Sequence, residues 1–336
     1  MKDDIPHPRA AFDYQGGEAV ERDFLGALER GRLHHAWLLV GPEGMGKATF
    51  AYRAARRLLG ARADPRLGAL GADPGDPVSR QIQARAHPDL LVLQRDPEDG
   101  KTRKGIPVDE ARTLPEFFAK SPASAPYRVA IIDEADDLNP SAANAVLKTL
   151  EEPPERGVLF LISHAPGALL PTLRSRCRRL RFAPPPEADT MAWVGERAQV
   201  DEETALRLVR MGRGAPGRAW RLAIGGALAM DEAARMLLAS LPRVDDKAML
   251  ALSESFRGPG GPERFELLFD RLAARIHQRL ARQAADSGAA AGQGASLDAW
   301  AQVWELLVEL PLQAEAVNLD RVDVFGVALS RLRAIA

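Results

Sequence analysis

The run Trp37-Leu38-Leu39-Val40-Gly41-Pro42-Glu43-Gly44-Met45-Gly46-Lys47-Ala48-Thr49 decides the fold. Four apolar residues read as a short buried strand. A helical pattern, Phe50 to Leu59, follows the glycines. Strand, Gly-rich turn and helix N-terminus together form a phosphate cradle. Glycine tolerates the positive φ that turns successive N–H groups inward toward an anion. The helix dipole adds partial positive charge at the same place, and a lysine reaches the β- and γ-phosphates. The candidate phosphate-binding residues are therefore Gly41, Gly44, Gly46 and Lys47, with Ala48 and Thr49 beside them. A Gly-rich strand-to-helix turn without a ligand is the plainer alternative.

The pattern has one departure. G-x-x-x-x-G-K-[ST] places a hydroxyl directly after the lysine to ligate Mg²⁺. Ala48 stands there, and the hydroxyl comes one residue late, at Thr49. One residue on a helix is a rotation of about 100°. The loop is thus expected to hold phosphate more readily than to support Mg²⁺-dependent hydrolysis.

The 336 residues allow two or three domains. With 46% hydrophobic and 27% charged residues the composition is that of a globular protein. The net charge of −1 gives no global attraction to nucleic acid, so any DNA contact must come from a local patch. Only seven of the 45 basic residues are Lys, which with the abundant Ala reads as a coding bias. One cysteine, Cys177, excludes a disulfide framework and a Cys-rich zinc site. Met1 to Asp13 lacks the apolar core of a secretory signal, and no apolar run approaches the roughly 18 residues of a membrane span. No membrane contact and a cytoplasmic location are expected.

Residues 17–31 read as an amphipathic helix with Val20, Phe24, Leu25 and Leu28 on one face. Adjacent His34 and His35 point apart on any regular element, so packing before the strand is favoured over a metal site. Candidate strands are Trp37–Val40, Asp89–Gln94, Arg128–Asp133, Val158–Ile162 and Arg178–Phe182, with helical patterns at 46–59, 108–119 and 139–151. Near-continuous apolar strands alternating with helices predict a parallel sheet covered on both faces. Ligands then sit at the C-terminal strand ends. Residues 60–87 are long for a connection and imply a small helix or a mobile insertion. Residues 96–105 read as a hairpin tip or exposed loop. Ala183-Pro184-Pro185-Pro186 is a linker. Beyond it only helices are predicted, at 188–199, 201–212, 216–229, 231–240, 245–256, 262–284, 297–312 and 317–334, around a low-complexity run at 285–296.

The strand Arg128–Asp133 ends in Glu134-Ala135-Asp136. Acidic residues there, in a chain with a P-loop, resemble the Walker B element. Asp133 would hold Mg²⁺ through water and Glu134 would polarise the attacking water. Asp137 and Asn139 are read as favouring the N-terminus of the next helix.

Leu33-His34-His35-Ala36, with Asn144-Ala-Val-Leu-Lys148-Thr-Leu-Glu151-Glu152-Pro153-Pro154 and Leu173-Arg174-Ser175-Arg176-Cys177, resembles the bacterial clamp-loader family within the AAA+ ATPases. The resemblance covers about residues 17–225. It implies an α/β AAA+ P-loop domain over 1–183, with a parallel five-stranded sheet and helices on both faces. A small helical lid over 184–230 and an all-helical C-terminal collar over 231–336 would follow. It implies that Arg176 is an arginine finger, reaching across a subunit boundary to the γ-phosphate of ATP on a neighbour. Ser163 and His164 both stand where the family has its sensor 1 residue. Gly214-Ala-Pro-Gly217-Arg218 resembles the sensor 2 segment, with Arg218 as the sensor.

Motor subunits of that family carry the hydroxyl after the lysine and a four-Cys zinc module before the second strand. Here the hydroxyl is displaced and residues 60–87 hold no Cys, so no zinc is expected. The similarity is to the delta-prime-type stator members, whose nucleotide site is degraded; the missing zinc module departs from many of them. It implies a clamp-loader subunit of a DNA-directed DNA polymerase holoenzyme that is not an ATPase by itself. ATP or ADP would occupy a degraded site, Glu134 would be vestigial, and Mg²⁺ would enter only with nucleotide. Partners would be motor and delta-type subunits, the sliding clamp and primed DNA. The alternative is a catalytically active AAA+ ATPase, a motor subunit or another remodeller. An autonomous DNA binder is disfavoured by the charge balance and by 6% aromatic residues.

Overall fold

A computed structural model describes residues 5–95, 97–98, 101–102, 105–286 and 297–335. The chain divides into two compact units, Met1–Arg221 and Leu222–Ala336.

The strands of the first unit are β1 (Ala36–Val40), β2 (Leu90–Leu93), β3 (Pro97–Glu98), β4 (Lys101–Thr102), β5 (Arg128–Ile132), β6 (Gly157–Ser163) and β7 (Arg178–Arg181). Its helices are α1 (Glu18–Glu29), α2 (Lys47–Leu58), α3 (Pro77–Gln83), α4 (Val108–Ala119), α5 (Pro140–Glu151), α6 (Pro171–Ser175), α7 (Glu187–Ala198) and α8 (Glu202–Met211). Five strands form a sheet in the order β2-β5-β6-β1-β7, every pair parallel, with Leu38 opposite Leu161 and Ile131 opposite Phe160. This is the parallel five-stranded sheet with helices on both faces that the sequence predicts. The period of two along β1 sends Trp37 and Leu39 to one face, against Phe24, Phe50 and Phe160. Leu38 and Val40 go to the other, against Leu114, Val146 and Leu173. Both faces are therefore dry, which is why these strands read as unbroken apolar runs. The edge strand β7 differs: it buries Leu180 and exposes Arg178, Arg179 and Arg181.

The insertion after α2 contains α3, a small helix capped by Asp76 with Pro77 at its first position. Bound pairs fold the segment before it. Arg62 meets Asp73, Arg66 meets Asp64 at 2.8 Å, and Arg62 N donates to Asp76. The predicted hairpin is present as β3 and β4, Pro97 opposite Thr102, while its remaining tip residues lie outside the described ones. The low-complexity run at 285–296 lies outside them from residue 287 onward. His34 and His35 stack with ring centroids 4.4 Å apart. The two rings therefore do not point apart as expected, because they lie in the irregular segment before β1 rather than on a regular element, and Ala36 N donates to His34 Nδ1.

Further helices are α9 (Pro216–Ile224), α10 (Ala227–Ser240), α11 (Asp246–Glu254), α12 (Gly261–Asp286), α13 (Leu297–Val317) and α14 (Arg321–Ile335). The single helix expected over 216–229 is broken at Gly225-Gly226, because Gly226 adopts φ +75°. The core of the second unit gathers Leu237, Phe256, Phe265, Phe269, Trp300 and Phe325. Leu312 and Val317 on α13 stay 65% and 67% exposed. Among the described residues no helix is long and apolar enough to cross a membrane.

Two buried arginines on α2 hold an N-terminal strap across the first unit. Arg53 pairs with Glu21 on α1, its Nη2 donating at 3.1 Å, and also donates to the carbonyls of Phe12 and Leu67. Arg56 donates to the carbonyls of Arg9 and Ala11 and lies 4.2 Å over the Phe12 ring. Burial and the neighbouring Arg53 push Arg56 down to about 10. The Arg53 and Glu21 side chains are each 2% exposed. Removing one partner of such a pair leaves an uncompensated buried charge. Glu21→Gln should therefore cost about 3–5 kcal/mol, read as a lower urea midpoint with an unchanged slope. A loss below about 1 kcal/mol would mean that the pair behaves as a surface contact.

Candidate functional site

The sheet order sets the loops after β1, β5 and β6 side by side, although Lys47 and His164 are 117 positions apart in the chain. A cavity of about 290 Å³ opens at these strand ends. Gly44, Gly46, Lys47, Ala48 and Thr49 form one wall, and Asp133, Glu134 and His164 another. Tyr14 from the strap and Trp193 and Trp220 from α7 and α9 enclose the rest. Arg197 lies over both tryptophan rings, 4.7 and 5.1 Å from their centroids, and pairs with Asp13.

The loop has the expected curl. Gly44 and Gly46 adopt φ +79° and +74°, which glycine alone takes without strain. A Cβ on Gly44 would lie 2.5 Å from Arg218 N, and Gly217 N donates to Gly44 O at 2.9 Å. The segment at the start of α9 thus latches onto the loop through backbone. Pro216, Gly217, Trp220 and Arg221 face the cavity while Arg218 does not line it, and Arg221 pairs with Glu43 at 2.7 Å. Gly41 lies at the root of the loop and supplies a carbonyl to Lys47.

Lys47 is 3% exposed. Its Nζ donates to Gly41 O at 2.6 Å, to Pro42 O at 2.7 Å and to His164 Nδ1 at 2.9 Å. Burial lowers its pKa to about 8, against the pull of Glu43, Asp136, Asp133 and Glu134. Burial and the adjacent Glu134 raise Asp133 to about 6. Glu134 takes a left-handed backbone, φ 63°. Arg95, just beyond β2, donates to Glu134 Oε2 at 2.6 Å, and its Nε lies 2.7 Å from Asp137 Oδ2. Burial and the hydrogen bond to Glu134 push Asp137 up to about 6. Asp137 therefore faces Arg95 rather than the helix start. Asn139 is the cap of α5, its side chain accepting from Ala142 N at 2.9 Å.

Asp136 joins two of the loops. It accepts Ser163 Oγ at 2.7 Å, His164 N at 2.5 Å and Ala165 N at 3.2 Å. Ser163 is fully buried and its hydroxyl is committed to Asp136, whereas His164 faces the cavity. As they stand these residues do not fit a Mg²⁺–triphosphate. The lysine donors are taken within the protein, Ala48 offers no oxygen, and Glu134 is held by Arg95. Thr49 does line the cavity, one position further along α2.

Arg176 lies away from this cavity, just past the end of α6. It is 38% exposed, pairs with Glu151 Oε1 at 3.0 Å, and its Nη1 donates to Thr172 O at 3.0 Å. Cys177 packs against the core beneath β7, among Leu169 and Leu173.

The family described as DNA polymerase III, delta subunit, matches residues 16–186. Subunit delta' of DNA polymerase III from Escherichia coli K12 is 34% identical over 234 residues, 69% of this chain and 68% of that protein. The chain belongs to the DNA polymerase III delta' family. The corresponding subunit of Pseudomonas aeruginosa is 36% identical over 224 residues, 66% of this chain. That match spans 62% of the Pseudomonas protein, less than two thirds of its length. A DNA polymerase III gamma subunit-related protein of Thermotoga maritima aligns over 93% of this chain and 99% of its own, with 20% identity and a TM-score of 0.48.

Arg95 and the bridging role of Asp136 were not read from the sequence of this delta' family chain. Arg95 carried one usable signal, its place at the C-terminal end of a parallel strand, where ligands and site residues collect. Trp193 and Trp220 carried another: two of the chain's five tryptophans fall between residues 190 and 221. For Cys177, burial drives the thiol up to about 12 against the nearby Arg179. Alkylation at pH 8 should therefore run about 10³-fold slower than for an ordinary exposed thiol and become normal in urea. Equal rates in the native and unfolded chain would show an accessible thiolate.

Proposed function

We propose that this chain is a delta-prime-type clamp-loader subunit of the DNA polymerase III holoenzyme. In this reading it is an AAA+ stator that lends Arg176 to the ATPase site of a neighbouring subunit and helps place a sliding clamp on primed DNA. The observation that carries it is the internal satisfaction of the P-loop lysine. A buried ammonium whose three N–H groups are all bound within the protein gains little from phosphate. Arg95 on Glu134 and the alanine at position 48 support the same conclusion.

Arg176 suits the second half of the proposal. It is remote from the chain's own cavity, partly exposed, and steadied at both ends of its guanidinium by Glu151 and the Thr172 carbonyl. A planar, permanently charged fork is suited to a transferring phosphate on another subunit. The helical segment 231–336 would be the collar that joins subunits, and the exposed Leu312 and Val317 suit such a contact. Motor and delta-type subunits are the partners this implies. The site would take ATP or ADP at most weakly, without hydrolysis. A second reading, an active ATPase, is favoured by one fact: Lys47, Asp133 and Glu134 do converge on a single cavity.

In a reconstituted clamp loader, Arg176→Ala should lower the neighbour's ATP turnover by roughly 10³-fold while assembly is retained. Unchanged turnover would remove the finger role. The purified chain should hydrolyse no ATP in Mg²⁺; turnover that vanishes in Lys47→Ala would make it a motor.

A further inference from the structure

His164 is the partner of Lys47 that stands between the lysine and the cavity. An ammonium has three donors, and Gly41 O, Pro42 O and His164 Nδ1 use all three. The two carbonyls belong to the loop and do not line the cavity; His164 comes from the end of β6 and does. Accepting from Lys47 requires an unprotonated Nδ1, so the ring proton sits on Nε2, 3.9 Å from Glu134 Oε1. The ring cannot retreat by a backbone shift, because Asp136 binds the N–H groups of both His164 and Ala165.

We infer that His164 weakens phosphate binding at the P-loop by occupying the lysine donor that a phosphate oxygen would need. The inference rests on reading Gly41–Lys47 as a phosphate cradle. A neutral nitrogen in hydrogen-bond contact with Lys47 is exchanged for phosphate only at the cost of desolvating the imidazole and stripping the anion of water. Burial, and then the charge of Lys47, hold the imidazole pKa below its usual value, which favours the neutral ring that can accept from Lys47. Ala48 makes the silencing one-sided: no metal oxygen stands next to the lysine to compensate. Ser163, the other sensor 1 candidate, plays no part, since its hydroxyl serves Asp136.

The test separates the histidine from the metal defect by omitting Mg²⁺. Binding of ADP and of inorganic tripolyphosphate in EDTA is measured by calorimetry on the full chain, wild type and His164→Ala. The variant should bind both about tenfold or more tightly than wild type. His164→Gln, whose side-chain oxygen can still accept from Lys47, should stay near wild type. The double variant Lys47→Ala/His164→Ala should lose the gain. Thermal unfolding of each variant checks that the fold persists. Equal binding by wild type and His164→Ala overturns the assignment, as does a gain that survives in the double variant. A gain of the same size in His164→Gln also overturns it, since bulk rather than the hydrogen bond would then be responsible. ATP turnover by the wild-type chain would instead sink the stator reading, and leaves this binding comparison to be decided by itself.

Discussion

A lysine ammonium shut away from water must have its N–H groups bound, and in this chain that requirement ties three loops together. Lys47 draws the carbonyls at the root of the Gly-rich turn toward itself and reaches His164 at the end of β6. His164 is fixed by Asp136 from the end of β5, and the neighbouring Glu134 is held by Arg95 from the end of β2. The result is a continuous polar chain along the C-terminal rim of the sheet, crossing β1, β6, β5 and β2. Each member would be costly to bury alone. Together they form a network with few groups left to satisfy, and such networks rigidify what they join.

The α2 helix extends this rigidity in the opposite direction. Its first residue anchors the rim, while Arg53 and Arg56, about 1.7 and 2.5 turns later, hold the N-terminal strap and the loop after α2. On the outer side of the turn, the Gly44–Gly217 backbone contact binds the start of α9. Strap, P-loop helix and the Pro216–Gly217 turn are thus joined by hydrogen bonds within the first unit.

Much of the fold was legible because the sheet is dry on both faces. Trp37–Val40 and Val158–Ile162 could be nothing but apolar, and glycine, proline and acidic residues punctuate them. The glycine turn and the acidic strand end were legible for the same reason, since each is a local pattern. What escaped was pairing between distant segments. Asp136 looked like one more acid before a helix, yet besides the Ser163 hydroxyl it binds two backbone N–H groups 28 and 29 positions on, and those leave no trace in side-chain identity. Arg95 was one arginine among many until the sheet order set β2 beside β5. The break at Gly225-Gly226 was hidden by helical periodicity running across it, although the two glycines were in plain view.

The arginines of β7 have a consequence of another kind. This strand pairs with β1 on one side only, and an unpaired parallel edge invites a further strand from another molecule. Arg178, Arg179 and Arg181 project from it, with Arg178 spread over Trp37 and fastened to Asp23. A second copy offering its own β7 would meet like charge along the whole strand. The border of the sheet nearest Arg176 is in this way guarded by charge against backbone pairing with another copy of the same chain.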